Sequence, residues 1–239
     1  MTDATSLRQR LTASPEEILQ RLPQAGRVMI IANDRGVTHE RIGTVESVEV
    51  TNGEVRCRGK EHDSVIVLSP IAAAIADRSG RMKDKVLPRL NFQDANAKTI
   101  FSIVGMDGLE PFDRAFAAFS GASLDADEPR HGEPATVSDD DPAAAPLQKA
   151  NESQAEIAVT MQTAAFRQRW QGAAPAIKLA MGFVNIITPD FHLHVRGGAV
   201  ARWASEDLAD GKVKLSAIGQ DGQALGLVLT GPAAALRAG

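Results

Sequence analysis

Two histidines stand two residues apart in the run PDFHLHVRGG, which covers residues 189–198. Side chains of a strand alternate between its two faces, so His192 and His194 are predicted to share one face, opposite the apolar residues of the run. Imidazole nitrogens are common metal ligands. The pair fits the solvent-facing side of an ordinary strand, a contact face for a cofactor, or a metal site. A cupin-like metal site would need a glutamate shortly after the pair, and residues 195–203 contain none.

The composition narrows the classes of function. The chain has 239 residues and one cysteine, Cys57, which excludes disulfide frameworks and cysteine-based metal clusters. Its 26 basic and 30 acidic residues are mixed along the chain, so no nucleic-acid partner is expected. The N-terminal residues lack the apolar core of a secretion signal, and no apolar run is long enough to span a bilayer. A protein of the cytoplasm is therefore expected.

The first half is predicted to be a sheet accompanied by two helices. Residues 14–17, SPEE, have the order of a helix start, with a capping serine and a glutamate three positions later. Short β-rich runs bounded by Gly, Asn and Asp follow from Arg27, and residues 90–105 indicate a hairpin. Phe112, Phe116 and Phe119 then recur at helical spacing up to Gly121.

The second half is predicted to contain a helix and short strands as well, after a segment that has few large apolar residues. Residues 121–146, rich in Pro, Gly, Ala and acidic residues, are predicted to be a mobile linker. Helix formers over 152–170 predict a helix, with Asn151 and Gln154 as its capping pair, and further β-rich runs follow. The predicted fold class is α+β, with two related antiparallel sheet halves each flanked by helices. The domains are residues 1–120, the linker, and a shortened second repeat over 147–239.

Two pairs of segments indicate an internal duplication. LNFQDANAKTIFSIVG (90–105) and LSAIGQDGQALGLVLTG (215–231) share a strand, a turn with Asp and a second strand. Upstream, SPIAAAIADRSG (69–80) is similar to TPDFHLHVRGG (188–198). Duplication is the simplest explanation, although any two amphipathic hairpins share such features.

The same segments carry a family resemblance. FVNIITPDFHLHVRGGAVARW (183–203) with KVKLSAIGQDGQALG, and LPQAGRVMIIANDRGVTHERIGTVESV (22–48) with NFQDANAKTIFSIV, resemble the repeats of hemin-transport and haem-utilisation proteins of the HemS/ChuX type. The first-half segment includes the histidine–glutamate pair His39–Glu40. The resemblance implies a cytoplasmic protein that binds b-type haem in iron utilisation.

The resemblance also implies an axial histidine from the helix opening the second repeat, and an arginine from the first repeat across the haem. Thr163 or Ala164 stands where that histidine falls, and only residues 171–175 separate this helix from the next strand. Arg81 is the best match for the arginine.

Other groups are therefore weighed as haem contacts, each against an ordinary structural role. His194 is a candidate iron ligand, Met161 offers a thioether but has the spacing of a core residue, and Arg78 suits a haem propionate or a solvated turn. His131 lies in the linker, and His39 and His62 are expected to be surface residues in or beside turns. The candidate cofactor contacts are His194, His192, Arg81, Arg78, Met161 and Arg196.

Three functions remain open: a haem carrier or store, a haem-degrading enzyme, and a family member that has lost haem ligation and serves as a binding or assembly module. The partners expected from the resemblance are haem itself and a haem-uptake or haem-oxygenase protein. A homodimer would supply sheet surface that the short second repeat lacks.

Overall fold

A computed structural model describes residues 7–126 and 136–237. These residues form two compact units: unit 1 falls within Met1–Ala32, Arg41–His131 and Ala164–Phe166, and unit 2 within Asn33–Glu40, Gly132–Thr163 and Arg167–Gly239. Within the described ranges, no helix has the length and apolar character needed to cross a membrane.

Strands dominate the structure, and the helices are short. The elements up to residue 126 are β1 (Arg8–Leu11), α1 (Pro15–Leu19), β2 (Arg27–Asp34), β3 (Val37–Thr44), β4 (Ser47–Thr51), β5 (Glu54–Arg58), β6 (Asp63–Val67), β7 (Ala73–Asp77), β8 (Arg81–Met82), β9 (Lys85–Val86), β10 (Arg89–Gln93), β11 (Thr99–Gly105), α2 (Leu109–Phe116) and β12 (Gly121–Leu124). The later elements are α3 (Ala144–Glu152), β13 (Glu156–Gln162), β14 (Phe166–Ala173), β15 (Lys178–Ala180), β16 (Phe183–Ile187), β17 (Phe191–Arg196), β18 (Val200–Asp207), β19 (Lys212–Gly219), β20 (Ala224–Pro232) and α4 (Ala233–Leu236).

In unit 1 the strands lie in the order β12-β1-β7-β10-β11-β2, and β6, β5 and β4 form a meander. The predicted hairpin is confirmed as β10 and β11. The phenylalanine-rich helix is present as α2 but ends at Phe116, so Phe119 lies beyond it and Gly121 begins β12. The capping box at α1 is also confirmed, because Ser14 and Glu17 exchange hydrogen bonds in both directions. Phe101 stacks between Phe92 and Phe166 in the core of this unit.

In unit 2 the strands lie in the order β18-β19-β20-β13-β14, and residues 37–40 of β3 lie beside β17, which is followed by β16 and β15. The pairings β13–β14, β13–β20, β16–β17 and β19–β20 are antiparallel, and β19 and β20 form the predicted hairpin over residues 215–231. The ring of Trp170 stacks on Phe191 with centroids 4.8 Å apart. This stack places β14 against the apolar face of β17.

The predicted helix over 152–170 is wrong. The helix in this region, α3, ends at Glu152, and the hairpin of β13 and β14 follows. Asn151 and Gln154 mark the end of a helix rather than its start: Gln154 adopts a positive φ of 50° and its side-chain amide donates to the Asn151 carbonyl at 2.7 Å. Two strands, rather than a helix, therefore occupy residues 156–173.

Both described ends of the predicted linker are structured. Gly121–Leu124 forms β12 and pairs with β1. At the other end, Asp141 is buried and its carboxylate accepts hydrogen bonds from the backbone N–H groups of Ala143 and Gly198. His131 lies outside the described residues.

Candidate functional site

The faces of β17 divide as the sequence predicts. Phe191, Leu193 and Val195 are fully buried, whereas His192 and His194 are half-buried on the other face. The two imidazole rings lie 5.9 Å apart between centroids. Alternation along one strand thus brings both histidines to one patch of surface.

Glu40 of β3 lies against the first of these histidines. His192 donates a hydrogen bond from Nδ1 to Glu40 Oε2 at 2.9 Å. The side chains are 24% and 14% exposed, so the pair is shielded from water on most sides. With Nδ1 donating to a carboxylate, neutral His192 carries its lone pair on Nε2.

Asn185 of β16 fixes the second histidine. Its amide Nδ2 lies 2.9–3.1 Å from the carbonyl oxygens of Lys178, Ala180 and Phe183. Carbonyls only accept hydrogen bonds, so this end must be the NH₂ group and the amide oxygen must face His194. That oxygen lies 2.6 Å from His194 Nδ1, so Nδ1 donates and Nε2 keeps the lone pair.

The environment of His194 also favours its neutral form. Burial lowers the pKa of His194, and the neighbouring His192 acts in the same direction, whereas the carboxylate of Glu40 opposes them. A neutral imidazole is the form that ligates iron or zinc.

A buried histidine holds β3 in place behind Glu40. His39, expected at the surface, is fully buried; its Nε2 donates to the Val159 carbonyl at 3.2 Å, and its Nδ1 accepts from Gln168 at 3.0 Å. The ring also contacts Phe191 at 4.9 Å between centroids. Because adjacent residues point to opposite faces, anchoring His39 inward directs Glu40 outward, toward His192.

Glu40, His192 and His194 are close enough to act together. Each offers one ligand atom, and the three atoms lie within 4.8 Å of one another. Sequence reasoning missed Glu40 and Asn185 as site residues. The alternation of β3 from buried Val37 carried a signal, since it places His39 inward and Glu40 outward.

The remaining candidates lie elsewhere or have structural partners. Arg196 is half-buried on the same face of β17, opposite Phe183 on β16. Met161 is fully buried on β13, as its spacing predicted, although on a strand. Arg78 and Arg81 belong to unit 1, where Arg78 pairs with Asp113 at 2.8 Å and Arg81 is exposed on β8.

His62 also departs from expectation. It lies beside a turn, as predicted, but is 3% exposed. Burial lowers the pKa of His62, Arg41 reinforces this, and the backbone of Gly43 and the carboxylate of Glu61 oppose it. His62 is therefore a neutral core residue of unit 1.

Comparisons with known proteins agree with the family resemblance. Residues 2–120 match the family described as Haemin-degrading HemS.ChuX domain. No curated protein sequence matches the chain significantly. Among solved structures, the heme degrading enzyme ChuS of Escherichia coli O157:H7 has a TM-score of 0.76 at 17% identity, covering 94% of this chain and 81% of that one.

A second structure of E. coli ChuS, described as a heme oxygenase, has a TM-score of 0.75 at 17% identity, with 94% and 83% of the chains covered. Holo-PhuS, a heme-binding protein from Pseudomonas aeruginosa, has a TM-score of 0.74 at 17% identity, with 94% and 81% covered. At such identities the structures establish a shared fold of mostly antiparallel sheets with few helices. The match over residues 2–120 separately shows that this part of the chain belongs to the HemS/ChuX family.

Proposed function

We propose that the protein binds haem and acts in haem and iron utilisation as a carrier, store or delivery protein of the cytoplasm. The observation that carries the proposal is the match of residues 2–120 to the HemS/ChuX domain. Heme-binding PhuS and heme-degrading ChuS have the same fold. Haem is accordingly the proposed cofactor, and a haem-uptake or haem-oxygenase protein is the proposed partner.

His194 is the proposed iron ligand. Its support is local: Asn185 directs the imidazole so that Nε2 carries the lone pair, and the ring is only half-buried. His192 and Arg196 share this face and are the proposed neighbours of the macrocycle. Met161 is a poorer ligand because its thioether is fully buried in the core, and Arg78 because it is paired with Asp113.

A titration of the purified protein with hemin tests this proposal. We expect saturable, stoichiometric binding with a shifted Soret band. His194→Ala should change the band and weaken binding, whereas Met161→Leu should leave both unchanged. Weak, unsaturable uptake by the wild-type protein would overturn the function. Tight uptake that His194→Ala does not alter would overturn the ligand alone.

A haem-degrading enzyme is the second candidate, because the matching family is described as haemin-degrading and ChuS as a heme oxygenase. Incubation of the haem complex with a reductant and oxygen separates the two. Loss of the Soret band with stoichiometric iron release would establish turnover, and a persistent band would favour the carrier. If the wild-type protein does not bind hemin saturably, the third function, a binding or assembly module without haem, is favoured.

We infer that the fold arose by duplication. The chain runs twice through the same succession: a helix, a hairpin, three strands, three further strands and a closing helix, with the short hairpin β8–β9 as an addition in the first pass. The order β7-β10-β11-β2 in unit 1 has its counterpart in β18-β19-β20-β13 in unit 2. In this alignment of the two repeats, β7 corresponds to β18 and β6 corresponds to β17. It therefore differs from the sequence comparison, which aligned residues 69–80 with residues 188–198.

Two further proposals concern the organisation of the protein: the division into residues 1–120, 121–146 and 147–239, and the homodimer. Sedimentation measures the oligomeric state. A monomer in the presence and absence of hemin would overturn the dimer. Limited proteolysis tests the division, since cleavage confined to residues 125–140, between β12 and the buried Asp141, is expected from a linker between two folded repeats.

A further inference from the structure

We propose that in the haem-free protein Glu40, His192 and His194 form a binding site for a first-row divalent transition-metal ion, which would use the same His194 nitrogen as haem. Two imidazoles and one carboxylate from two strands of unit 2 converge on one patch. This ligand set is typical of non-haem iron(II) sites and of catalytic zinc sites, which leave positions on the ion open.

The spacing of the three groups is close to the spacing that one ion requires. At metal–ligand distances of about 2.1 Å, two ligand atoms on the same ion lie about 3.0–4.2 Å apart. Here the three ligand atoms lie within 4.8 Å of one another. An ion that draws the three side chains together would bring these separations into that range.

The residue behind His194 has the arrangement that metal-binding histidines need. A ligating imidazole usually donates its other nitrogen to a fixed acceptor, which sets the tautomer and the ring orientation. Asn185 supplies that acceptor, and three backbone carbonyls hold its amide in turn. Asn185 is 8% exposed, so this support is part of the packed structure rather than a mobile surface contact.

The charge and composition of the site select the kind of ion. One carboxylate and two neutral imidazoles supply mixed oxygen and nitrogen ligands, which suit zinc, iron and cobalt better than the all-oxygen shells of calcium or magnesium. Ile187, which pairs with His192 on β16, is 61% exposed, so this side of the site is open to solvent. An ion can therefore enter without unfolding of the strand.

Titration of the haem-free protein with Zn²⁺ by calorimetry, and with Co²⁺ by visible absorption, tests the proposal. We expect one ion per chain and cobalt d–d bands typical of nitrogen and oxygen ligation. His194→Ala and Glu40→Gln should each weaken binding at least tenfold. Glu40→Gln keeps an oxygen that accepts from His192 and removes only the charge, so the variant should remain folded.

Glu49→Gln is the matched control, because Glu49 is an exposed glutamate on strand β4. It should bind zinc like the wild-type protein. Asn185→Ala should weaken binding about 10–100-fold, as expected for the group that orients a ligand. Nitrogen-15 shifts should further show that His194 carries its proton on Nδ1 before zinc is added and that Nε2 alone changes on binding.

Absence of zinc binding by the wild-type protein, or equal affinity in Glu40→Gln and Glu49→Gln, would overturn the proposal. Neither result bears on haem, because hemin uptake is read from the Soret band in a separate titration. If the wild-type protein binds zinc but does not bind hemin, the proposed function is overturned and the proposed metal site is supported.

Discussion

Replacement of Gln168 by leucine should destabilise the protein through the buried histidine that positions β3. Gln168 is fully buried, and its Nε2 donates to His39 Nδ1 at 3.0 Å and to the His39 carbonyl at 3.3 Å. Leucine has a similar volume, so the change removes hydrogen bonds while creating little cavity. At about 0.5–1.5 kcal/mol for each buried hydrogen bond, the expected loss is about 1–3 kcal/mol.

Thermal unfolding followed by circular dichroism measures this loss. For a chain of this size, about 2–4 °C of Tm corresponds to each kcal/mol, so Tm should fall by about 2–12 °C. Gln171→Leu is the control, because Gln171 lies on the same strand, β14, but is exposed. If both variants melt at the same temperature, the hydrogen bonds to His39 do not stabilise the fold and the reasoning fails.

Three further predictions concern unit 1. Cys57 is fully buried and burial raises its pKa to about 12, so iodoacetamide at pH 8 should modify it only after unfolding; modification of the native protein would contradict this. Ser14→Ala should cost about 1 kcal/mol in urea unfolding by removing the α1 capping box, and Ser47→Ala, on an exposed strand position, should cost less. The pKa of His62 is lowered in the folded protein, so below pH 6.5 the unfolded chain binds more protons than the folded protein does. The free energy of unfolding should therefore fall as the pH decreases below 6.5, and it should fall less steeply in His62→Asn.

The strands and the family could be predicted where the signal was local. Capping chemistry at Ser14, the turn between β10 and β11, and the phenylalanine spacing of α2 each depend on residues close in sequence. The alternation of β17 was equally local, and burial follows it residue by residue. Local propensity and the final structure agree in these segments.

The helix predicted over 152–170 failed for a physical reason. Phe166 and Trp170 are four residues apart, a separation that places two side chains on one face of a helix and also on one face of a strand. The residue that distinguishes the two is Gln168, which a strand buries with them and a helix turns away. A polar residue at position 168 is predicted from the sequence to face solvent. Its burial is explained only by its hydrogen bond to the buried His39.

The candidate site escaped prediction because its members meet only through strand pairing. Glu40 and His192 are 152 positions apart in the sequence, so the carboxylate reaches the histidine across the sheet and not along the chain. Asn185 stands opposite His194 on the paired strand and is likewise defined by register. The carboxylate of Glu40 on the neighbouring strand and the amide of Asn185 on the paired strand each accept a hydrogen bond from one of the two histidines. These two hydrogen bonds fix the tautomers of His192 and His194. The chemistry of this face is therefore a property of the pairing of β3, β17 and β16, and a single shift of register in either pairing would abolish it while leaving the composition of each strand unchanged.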